Sequence, residues 1–584
     1  MSISRREFLQ MLAAASAMGM YLPGVEAGTA VQKTPGGVKP FKAPSHLYEL
    51  PAFGNVSVLH YTDCHAQLQP VYFREPNINI GIGDMKGHPP HLVGEHFLKF
   101  YGIKPGSAEA HAFTYLNFVE AAEHLGTLGG FAHLATLVKH LRAQRPGSVL
   151  LDGGDTWQGS ATALWTKGQD MVDAQLLLGV DAMTPHWEMT YGAERVKHVV
   201  DNDFKGKIDF VAQNIFDKDW GDQIFDPYVI KELNGVPTAI IGQAFPYTPI
   251  ANPGYMIPKW TFGIHDEHMQ KMVDKARGEG AQLVILLSHN GMDVDLKLAS
   301  RVRGIDAIMG GHTHDAIPAP VVVKNAGGKT LVTNAGSNGK FLAVLDLDVK
   351  HGKVRGYRYK LLPVFSNLLE PDPAMAAHIE KVRAPYKAKL DEKLAVTDDL
   401  LYRRGNFNGT FDQVICDGLM DVMGAQVAFS PGFRWGVSVM PGQPITMDDL
   451  MTQTAITYPT VTLNNLTGAQ IKNIMEDVAD NLFNKDPYYQ QGGDMVRVGG
   501  LRYTMDPTKT IGHRISNMEL DGKAVSPHKK YSVAGWANVH QPLHGRAVWD
   551  VVAEYLRSEK TVRVKDLNQP RLKNVANNPG YEAL

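Results

Sequence analysis

Aspartate and histidine side chains follow several short runs of the sequence that have the apolar, β-branched composition of strands. These residues are Asp63, His65, Asp155, His289, His312 and His314. A single histidine at the end of a strand is more often structural than a metal ligand. Several such residues at the strand ends of one sheet instead predict a common site, because the carboxyl ends of parallel strands meet at one edge.

Imidazole and carboxylate ligands together suit manganese, iron or zinc, and a set without thiolates argues against a structural zinc site. One carboxylate can bridge two ions. Two ions can both lower the pKa of a shared water and neutralise charge on the group that the water attacks. The residues therefore predict a hydrolase that uses two metal ions against an anionic, tetrahedral group.

The strands that position these residues are predicted at 56–61, 148–151, 283–287 and 305–309, with helix-like segments such as 131–143 between them. Alternation of strands and helices predicts an α/β domain with its site at the carboxyl ends of the strands. At 584 residues the chain is too long for a single hydrophobic core, so further domains are expected.

The predicted first domain covers residues 50–371. Residues 372–394 are rich in alanine, lysine and glutamate at helical spacing, which indicates a helix that connects two domains. From 395 to about 580, strand and helix patterns mix again and predict a second, smaller α/β domain. The segment from about 74 to 125 is rich in glycine, proline and histidine, and we expect an irregular insertion that overhangs the site.

Residues 1–30 have the pattern of an export signal, with Arg5 and Arg6 before a short apolar run at 11–22 that is too short to span a membrane comfortably. The pair of arginines predicts the twin-arginine pathway and a periplasmic, soluble mature protein. With 58 basic and 60 acidic side chains, no overall field favours a nucleic acid partner. The two cysteines, Cys64 and Cys416, cannot form a disulfide framework.

The strings Asp63-Cys64-His65, Gly154-Asp155 and Gly311-His312-Thr313-His314, with the lone His289, resemble the motifs of the 5′-nucleotidase branch of the calcineurin-like metallophosphoesterases. The resemblance implies a four-layer α/β/β/α sandwich, joined by a helix to a smaller mixed α/β carboxyl-terminal domain that binds substrate. It also implies that Asp63, His65, Asp155 and His314 hold one ion and that Asp155, His289 and His312 hold the other, with Asp155 as the bridge. Ser430-Pro431-Gly432-Phe433-Arg434 resembles the substrate-binding turn of that family.

Two parts of the sequence depart from the nucleotidase pattern. The family's Gly-Asn-His-Glu motif here reads Pro185-His186-Trp187-Glu188, so His186 replaces an asparagine ligand and Trp187 replaces a histidine. Imidazole is a competent ligand, whereas indole can neither carry a proton nor a positive charge. At the positions where nucleotidases clamp the base between two aromatic rings, the sequence has Thr457 and the segment 492–495, which disfavours a nucleotide substrate.

These departures resemble the SoxB family of periplasmic thiosulfohydrolases, through the strings at 62–68 and 185–192. That resemblance implies two manganese ions, although zinc and iron suit the same ligands. It implies a cysteine S-thiosulfonate on the SoxYZ carrier protein as substrate, and sulfate as product. Asp155, Trp187 and Arg434 are then the expected catalytic residues, with Trp187 and Arg434 in contact with the sulfonate.

Two other functions are considered. A periplasmic 5′-nucleotidase or cyclic phosphodiesterase that tolerates Trp187 is the first alternative. A binding protein that keeps the metal site but has lost turnover is the second, and the complete ligand set argues against it. Cys64 is expected to be a small buried residue, and Asn214 is assigned neither to the site nor to a turn.

Overall fold

The computed structural model describes residues 47–583, so the predicted export signal at 1–30 lies outside the described residues. The first domain contains two six-stranded sheets. The strands of the first sheet, in spatial order, are Lys353–Pro363, Phe341–Lys350, Val56–Tyr61, Val149–Asp152, Ala182–Met183 and Asp209–Phe210. Those of the second are Val321–Asn325, Gly328–Asn334, Ala307–Gly310, Leu283–Ser288, Val236–Gln243 and Tyr228–Leu233.

The two sheets pack face to face through alternate residues of their strands, such as Val56 and Val58 from the first sheet and Ile285 and Leu287 from the second. Helices cover both outer faces and complete two further cores. The main covering helices are Phe131–Gln144, Gln169–Leu178, Asp266–Gly278 and Met292–Arg301. The prediction of a four-layer α/β/β/α sandwich is confirmed.

Each sheet has parallel strand pairs at its centre, although Val56–Tyr61 also pairs antiparallel with Phe341–Lys350. Val56–Tyr61 pairs with Val149–Asp152, and Leu283–Ser288 pairs with Ala307–Gly310. The loops after these strands therefore emerge at one edge of the sandwich, which is where the candidate ligands lie.

The helix Pro373–Arg383 and the short helix Lys387–Leu390 follow the sandwich, within the segment predicted to connect two domains. The exact domain boundaries stay predictions. Beyond them, the carboxyl-terminal region has three small sheets. Their strands are Lys393–Thr397, Pro444–Thr446 and Thr561–Val562; Thr462–Thr467, Lys530–Gly535, Val427–Ser430 and Arg497–Gly499; and Lys523–Ala524, Ile515–Leu520, Leu501–Met505 and Arg571–Leu572.

Helices of this region are Thr410–Met423, Met447–Thr454, Gly468–Phe483 and Val548–Glu559. The helix Gly468–Phe483 begins where Thr467 and Gln470 form a capping box, in which each side chain bonds to the other residue's backbone N–H. Its apolar face, with Ile471, Met475 and Ala479, then packs into one core of the domain.

The segment predicted to be an irregular insertion is in large part helical, and this expectation was wrong. It contains the helices Gly94–Tyr101, Ala108–Phe113 and Phe118–Leu125. Phe97, Leu98 and Phe113 bury against Phe341 and Phe365 of the sandwich. Burial of these apolar residues outweighs the glycines and prolines, which lie between the helices.

The beginning of the same segment ties the two domains together. Ile80 N–H donates to Asn406 Oδ1 at 2.7 Å, and Asn406 N–H donates to Ile78 O at 3.0 Å. The side chains of Ile78 and Ile80 belong to the core that Phe407 and Val427 form in the carboxyl-terminal domain. The two domains are thus joined on this side by hydrogen bonds to the backbone and side chain of Asn406 and by shared apolar packing. Within residues 47–583, no helix is both long and apolar enough to cross a membrane.

Candidate metal centre

The structure brings all seven predicted ligands together at the carboxyl edge of the strands. They form two groups in which the potential ligand atoms lie within 4.8 Å of one another. The first group is Asp63, His65, Asp155 and His314, and the second group is Asp155, His186, His289 and His312. Every member is buried, and only Asp155 belongs to both. The division matches the one that the family resemblance implies, while the role of each residue as a ligand stays a prediction.

Short distances between ring nitrogens and carboxylates show that these atoms face a common interior. In the first group, His65 Nε2 lies 3.0 Å from His314 Nε2, and His314 Nε2 lies 3.2 Å from Asp63 Oδ1. In the second group, His289 Nε2 lies 3.1 Å and His186 Nδ1 3.2 Å from Asp155 Oδ2. Converging lone pairs of this kind are the arrangement that a metal ion requires.

The backbone at the site is held in a conformation that residues other than glycine rarely adopt. Positive φ angles occur at Asp63, His65, Asp155, His312 and His314, with values of 52°, 46°, 57°, 71° and 58°. Such residues cost of order 1–3 kcal/mol each and persist where the surrounding structure fixes them. The sharp turns after the strands therefore use conformational strain to aim the side chains inward.

Glu188 supports two turns of the site through hydrogen bonds to their backbone. Its carboxylate accepts hydrogen bonds from the backbone N–H groups of Thr156, Trp157 and His186, at 2.6, 3.2 and 2.8 Å. The turn that carries Asp155 and the turn that carries His186 are thereby held by one buried side chain.

The outer ring nitrogens of the second group are all fixed by oxygen acceptors. His289 Nδ1 donates to Gly153 O at 2.5 Å, and His312 Nε2 donates to Gln491 O at 2.9 Å. His186 Nε2 lies 3.1 Å from Asn252 Oδ1. A hydrogen bond at the outer nitrogen sets the tautomer, so that the inner nitrogen presents a lone pair.

The first group is built differently. The outer Nδ1 atoms of His65 and His314 are buried and have no hydrogen-bond partner within the described chain. The His65 ring instead stacks on Trp435 of the carboxyl-terminal domain, with centroids 4.7 Å apart and an interplanar angle of 22°. Packing takes the place of hydrogen bonding in this half of the centre.

The charges of the cluster fit a bound cation. Burial lowers the pKa of His289, but Asp155 and Asp63 outweigh that effect and raise it to about 10, so the carboxylates retain a proton on this ring when no cation is present. Burial lowers the pKa of His65 to about 3 and those of His312 and His314 well below the usual range, which keeps these rings neutral as ligands must be. Nδ1 of His312 has no hydrogen-bond partner within residues 47–583, and Nε2 of His289 faces Asp155, so both nitrogens point to where a cation would lie. The buried cluster could hold a dinuclear metal site, and its ligand types leave the metal's identity open.

Two arginines of the carboxyl-terminal domain approach the loop between His312 and His314. Arg434, the predicted sulfonate ligand, bonds through its three nitrogens to Asp494, Thr313 O and Gly493 O. Arg404 donates Nη2 to Thr313 O at 3.1 Å, while its buried Nε and Nη1 have no hydrogen-bond partner within residues 47–583. Its Nη1 lies 3.8 Å from Asp494 Oδ1 and its Nη2 3.7 Å from Asp315 Oδ1, so the charge of Arg404 is partly balanced while its N–H groups keep capacity to hydrogen-bond an anion.

Trp187 lies beside Asp155, the carboxylate common to both groups, and its backbone N–H donates to Asp155 Oδ1 at 2.8 Å. Its indole is only 6% exposed and belongs to an aromatic wall formed by Trp187, Phe433, Trp435 and Tyr458. The ring meets Trp435 edge to face at 4.9 Å and runs parallel to Tyr458 at 6.1 Å. A substrate contact of Trp187 stays a prediction.

The region where a nucleobase clamp would lie is occupied by contacts between the domains. Thr457 Oγ1 donates to Thr190 O at 2.9 Å. Gly492 lies so close to the His312 ring that a Cβ atom at this position would be 2.4 Å from Nε2. Glycine is therefore required where this loop closes on the metal centre.

Two residues that the sequence left without a function are structural. Asn214 bonds to the backbone of Ala244 in both directions and to Gly263 O. Cys64 is fully buried, and burial raises the pKa of its thiol well above the usual value.

The sequence motifs and their spacing did not predict four residues that contact the site in the structure, namely Arg404, Asn252, Gln491 and Trp435. The available signal was the adjacent pair Arg403 and Arg404 after the connecting helix.

Comparisons with known proteins agree with this geometry. Residues 394–541 match the family model of the 5′-nucleotidase C-terminal domain. The 5′-nucleotidase of Rattus norvegicus is 24% identical over 444 residues, which cover 67% of this chain and 72% of the rat protein. A 5′-nucleotidase precursor of Thermus thermophilus is 21% identical and has the same fold, with a TM-score of 0.70 over 89% of this chain and 99% of that one. Fold and site together define a member of the 5′-nucleotidase branch of the calcineurin-like metallophosphoesterases.

A more specific likeness exists within that branch. The sulfate thiohydrolase SoxB of Thermus thermophilus, solved with glycerol, is 37% identical, with a TM-score of 0.85 over 90% of this chain and 98% of that one. The chain belongs to the SoxB family. The resemblance stated from the motifs is thereby confirmed, and the proteins to which this chain is similar are hydrolases.

Proposed function

We propose that this protein is a thiosulfohydrolase that removes the terminal sulfonate from a cysteine S-thiosulfonate on a SoxYZ-type carrier protein and releases sulfate. Two divalent cations, most suitably manganese, would be held by the first and second groups with Asp155 as their shared ligand. Export to the periplasm by the twin-arginine pathway is part of the proposal and rests on Arg5 and Arg6 with the apolar run that follows.

The observation that carries the proposal is the position of Trp187, whose backbone N–H donates to Asp155 and whose indole lies 5.9 Å from the His186 ring. A phosphate monoester brings two negative charges to the centre, and a protonable side chain at this position would help to neutralise them. A terminal sulfonate is equally tetrahedral but carries one negative charge, so a site with an indole there is adequate. The aromatic wall holds Trp187 in place, and its indole can neither transfer a proton nor carry a positive charge.

The balance of the reaction also suits the site. The oxygen of water forms a bond to the terminal sulfur, the S–S bond breaks, and its electron pair goes to the sulfur that stays on the carrier as a persulfide. A persulfide is a weaker base than the alkoxide that leaves a phosphate ester, so its departure needs no general acid. Both protons of the attacking water pass to solvent, so the products are sulfate and the persulfide anion of the carrier.

When bound, the two cations would lower the pKa of the attacking water and neutralise charge on the sulfonate oxygens. The protein's residues supply the remaining interactions. Asp155 fixes the spacing of the two groups. Arg404 Nε and Nη1, which make no hydrogen bond within residues 47–583, would bind the sulfonate oxygens, with Nη1 also 3.8 Å from Asp494. Arg434 holds Thr313 O and Asp494 and so positions the loop of His312 and His314 against the second domain.

A carrier arm fits the cleft better than a nucleotide does. Gly492 and Gln491 close directly on His312, and Thr457 is engaged with Thr190, so the space for a base between two aromatic rings is filled by protein. A narrow, extended peptide that ends in a thiosulfonated cysteine needs no such space.

The test compares two substrates on the metal-loaded enzyme. Sulfate release from a thiosulfonated carrier should be fast, whereas phosphate release from a nucleoside monophosphate should be slower by about 10²–10³-fold, the usual effect of one missing oxyanion-stabilising group. Arg404→Ala should slow sulfate release by a similar factor, and Arg404→Lys should recover only part of it, since lysine lacks the fork. Free thiosulfate hydrolysed as efficiently as the carrier-bound form would contradict the carrier part of the proposal.

A 5′-nucleotidase or cyclic phosphodiesterase is the second candidate, because the 5′-nucleotidases are relatives over two thirds of the chain. Phosphate release at a rate comparable with sulfate release would favour it over the thiosulfohydrolase.

A further inference from the structure

We propose that Trp435 is a positioning residue for the metal ion of the first group, and that the carboxyl-terminal domain completes this half of the centre by holding His65. The inference rests on the proposed two-metal centre. It adds that the two metal positions depend on different kinds of support and that one of them depends on contact between the domains.

The histidines of the two groups differ at their outer nitrogens. His186, His289 and His312 each have the outer nitrogen at hydrogen-bond distance from an oxygen, of Asn252, Gly153 and Gln491 respectively. His65 Nδ1 is buried and has no such partner within the part of the chain that the structure describes. A hydrogen bond at Nδ1 therefore does not fix the His65 ring, and rotation of the ring would turn Nε2 away from Asp155 and His314.

At His65, packing replaces the hydrogen bond. One face of the His65 ring lies on the Trp435 indole, with centroids 4.7 Å apart. Phe433 stacks on the other face of that indole at 4.1 Å and 17°, and Trp187 meets its edge at 4.9 Å. Trp435 is 2% exposed, so it cannot move without disturbing the wall around it. A fixed indole leaves the His65 ring a single orientation.

The backbone side of His65 is equally confined. Gly159 approaches so closely that a Cβ atom there would lie 2.6 Å from His65 O and 2.7 Å from His65 Cβ. Gly159 also has a φ of 132°, which residues with a side chain rarely adopt. His65 is thus packed between Gly159 of its own domain and Trp435 of the other domain.

The experiment measures metal affinity in one position at a time. His312→Ala removes a ligand of the second group and leaves the first position to be titrated with Mn²⁺ alone, by equilibrium dialysis and electron paramagnetic resonance. His314→Ala does the converse. Trp435→Ala is then added to each background, and Trp435→Phe serves as the variant that keeps an aromatic face on His65.

We expect Trp435→Ala to weaken Mn²⁺ binding about tenfold or more in the His312→Ala background, the size of effect found when an outer partner of a ligand is lost. In the His314→Ala background it should change binding less than twofold. Trp435→Phe should restore most of the affinity of the first position. Trp536→Ala is the matched control, because Trp536 packs on Phe433 at 5.5 Å and belongs to the same core without stacking on His65.

Equal affinities of the first position with tryptophan and alanine at 435 would overturn the inference, and so would an equal loss in both backgrounds. Equal loss from Trp536→Ala would also overturn it, since it would show a general effect of the aromatic packing. Failure of the proposed function would be distinguishable from failure of this inference. It would appear in the unaltered enzyme, as absent sulfate release or as fewer than two ions per chain.

Discussion

The two halves of the metal centre have the same kinds of ligand but different support. In the second group, each histidine is held by a hydrogen bond at its outer nitrogen, and two of the three partners, Asn252 and Gly153, belong to the same domain as the ligands. In the first group, His65 is held by stacking on Trp435 from the other domain. The comparison teaches that two groups of Asp and His side chains that share one carboxylate can differ in what fixes their rings.

Asp155→Ala should have the largest effect, because Asp155 is the only residue common to both groups. We expect the variant to lose both ions and all hydrolysis, which would erase the difference between the halves. Metal analysis of the purified variant measures this directly. Two ions retained per chain at wild-type affinity would contradict Asp155 as the bridge.

A chelator should remove the two ions at different rates. The first ion should leave the native enzyme about ten times faster than the second, since His65 and His314 have no hydrogen bond at Nδ1 within residues 47–583, whereas the histidines of the second group do at their outer nitrogens. The single-ion variants His312→Ala and His314→Ala identify which rate belongs to which position. Equal release rates for the two positions would break the comparison.

Asn252→Ala should weaken only the second position, by about 10- to 100-fold in metal affinity, because it removes the partner of His186 Nε2. Measured in the His312→Ala background, where the second position is already disrupted, the same change should leave the remaining ion's affinity unaltered. A loss in that background would show that Asn252 supports the whole site.

Trp187→His should have the smallest effect on the metals, because the residue's contact with the ligands is made by its backbone N–H to Asp155. We expect two ions per chain, a rise in phosphate release and a fall in sulfate release. The imidazole would leave part of the aromatic wall unfilled, so some loss of thermal stability is expected. Unchanged activities toward both substrates in the fully metallated variant would mean that Trp187 only packs.

Much of the site was accessible from the sequence because its ligands follow strands directly. Asp63, His65, Asp155, His289, His312 and His314 each lie within a few residues of a strand end, where chain connectivity and sheet geometry already determine the approximate position. His186 was found through a motif in which it replaces another ligand. The same local logic predicted the four-layer sandwich, whereas the helices at 94–125 were missed because their apolar faces are short and separated by glycine and proline.

What only the tertiary structure decided is the support of those ligands. Gln491 is 179 residues from His312, and Arg404 reaches Thr313 across 91 residues. Trp435 meets His65 through the packing of one domain on the other. Ligand positions are fixed by local backbone stiffness and can be read from neighbouring residues. Ring orientation depends on contacts with residues from distant parts of the chain. The sequence pattern around a ligand does not identify those residues.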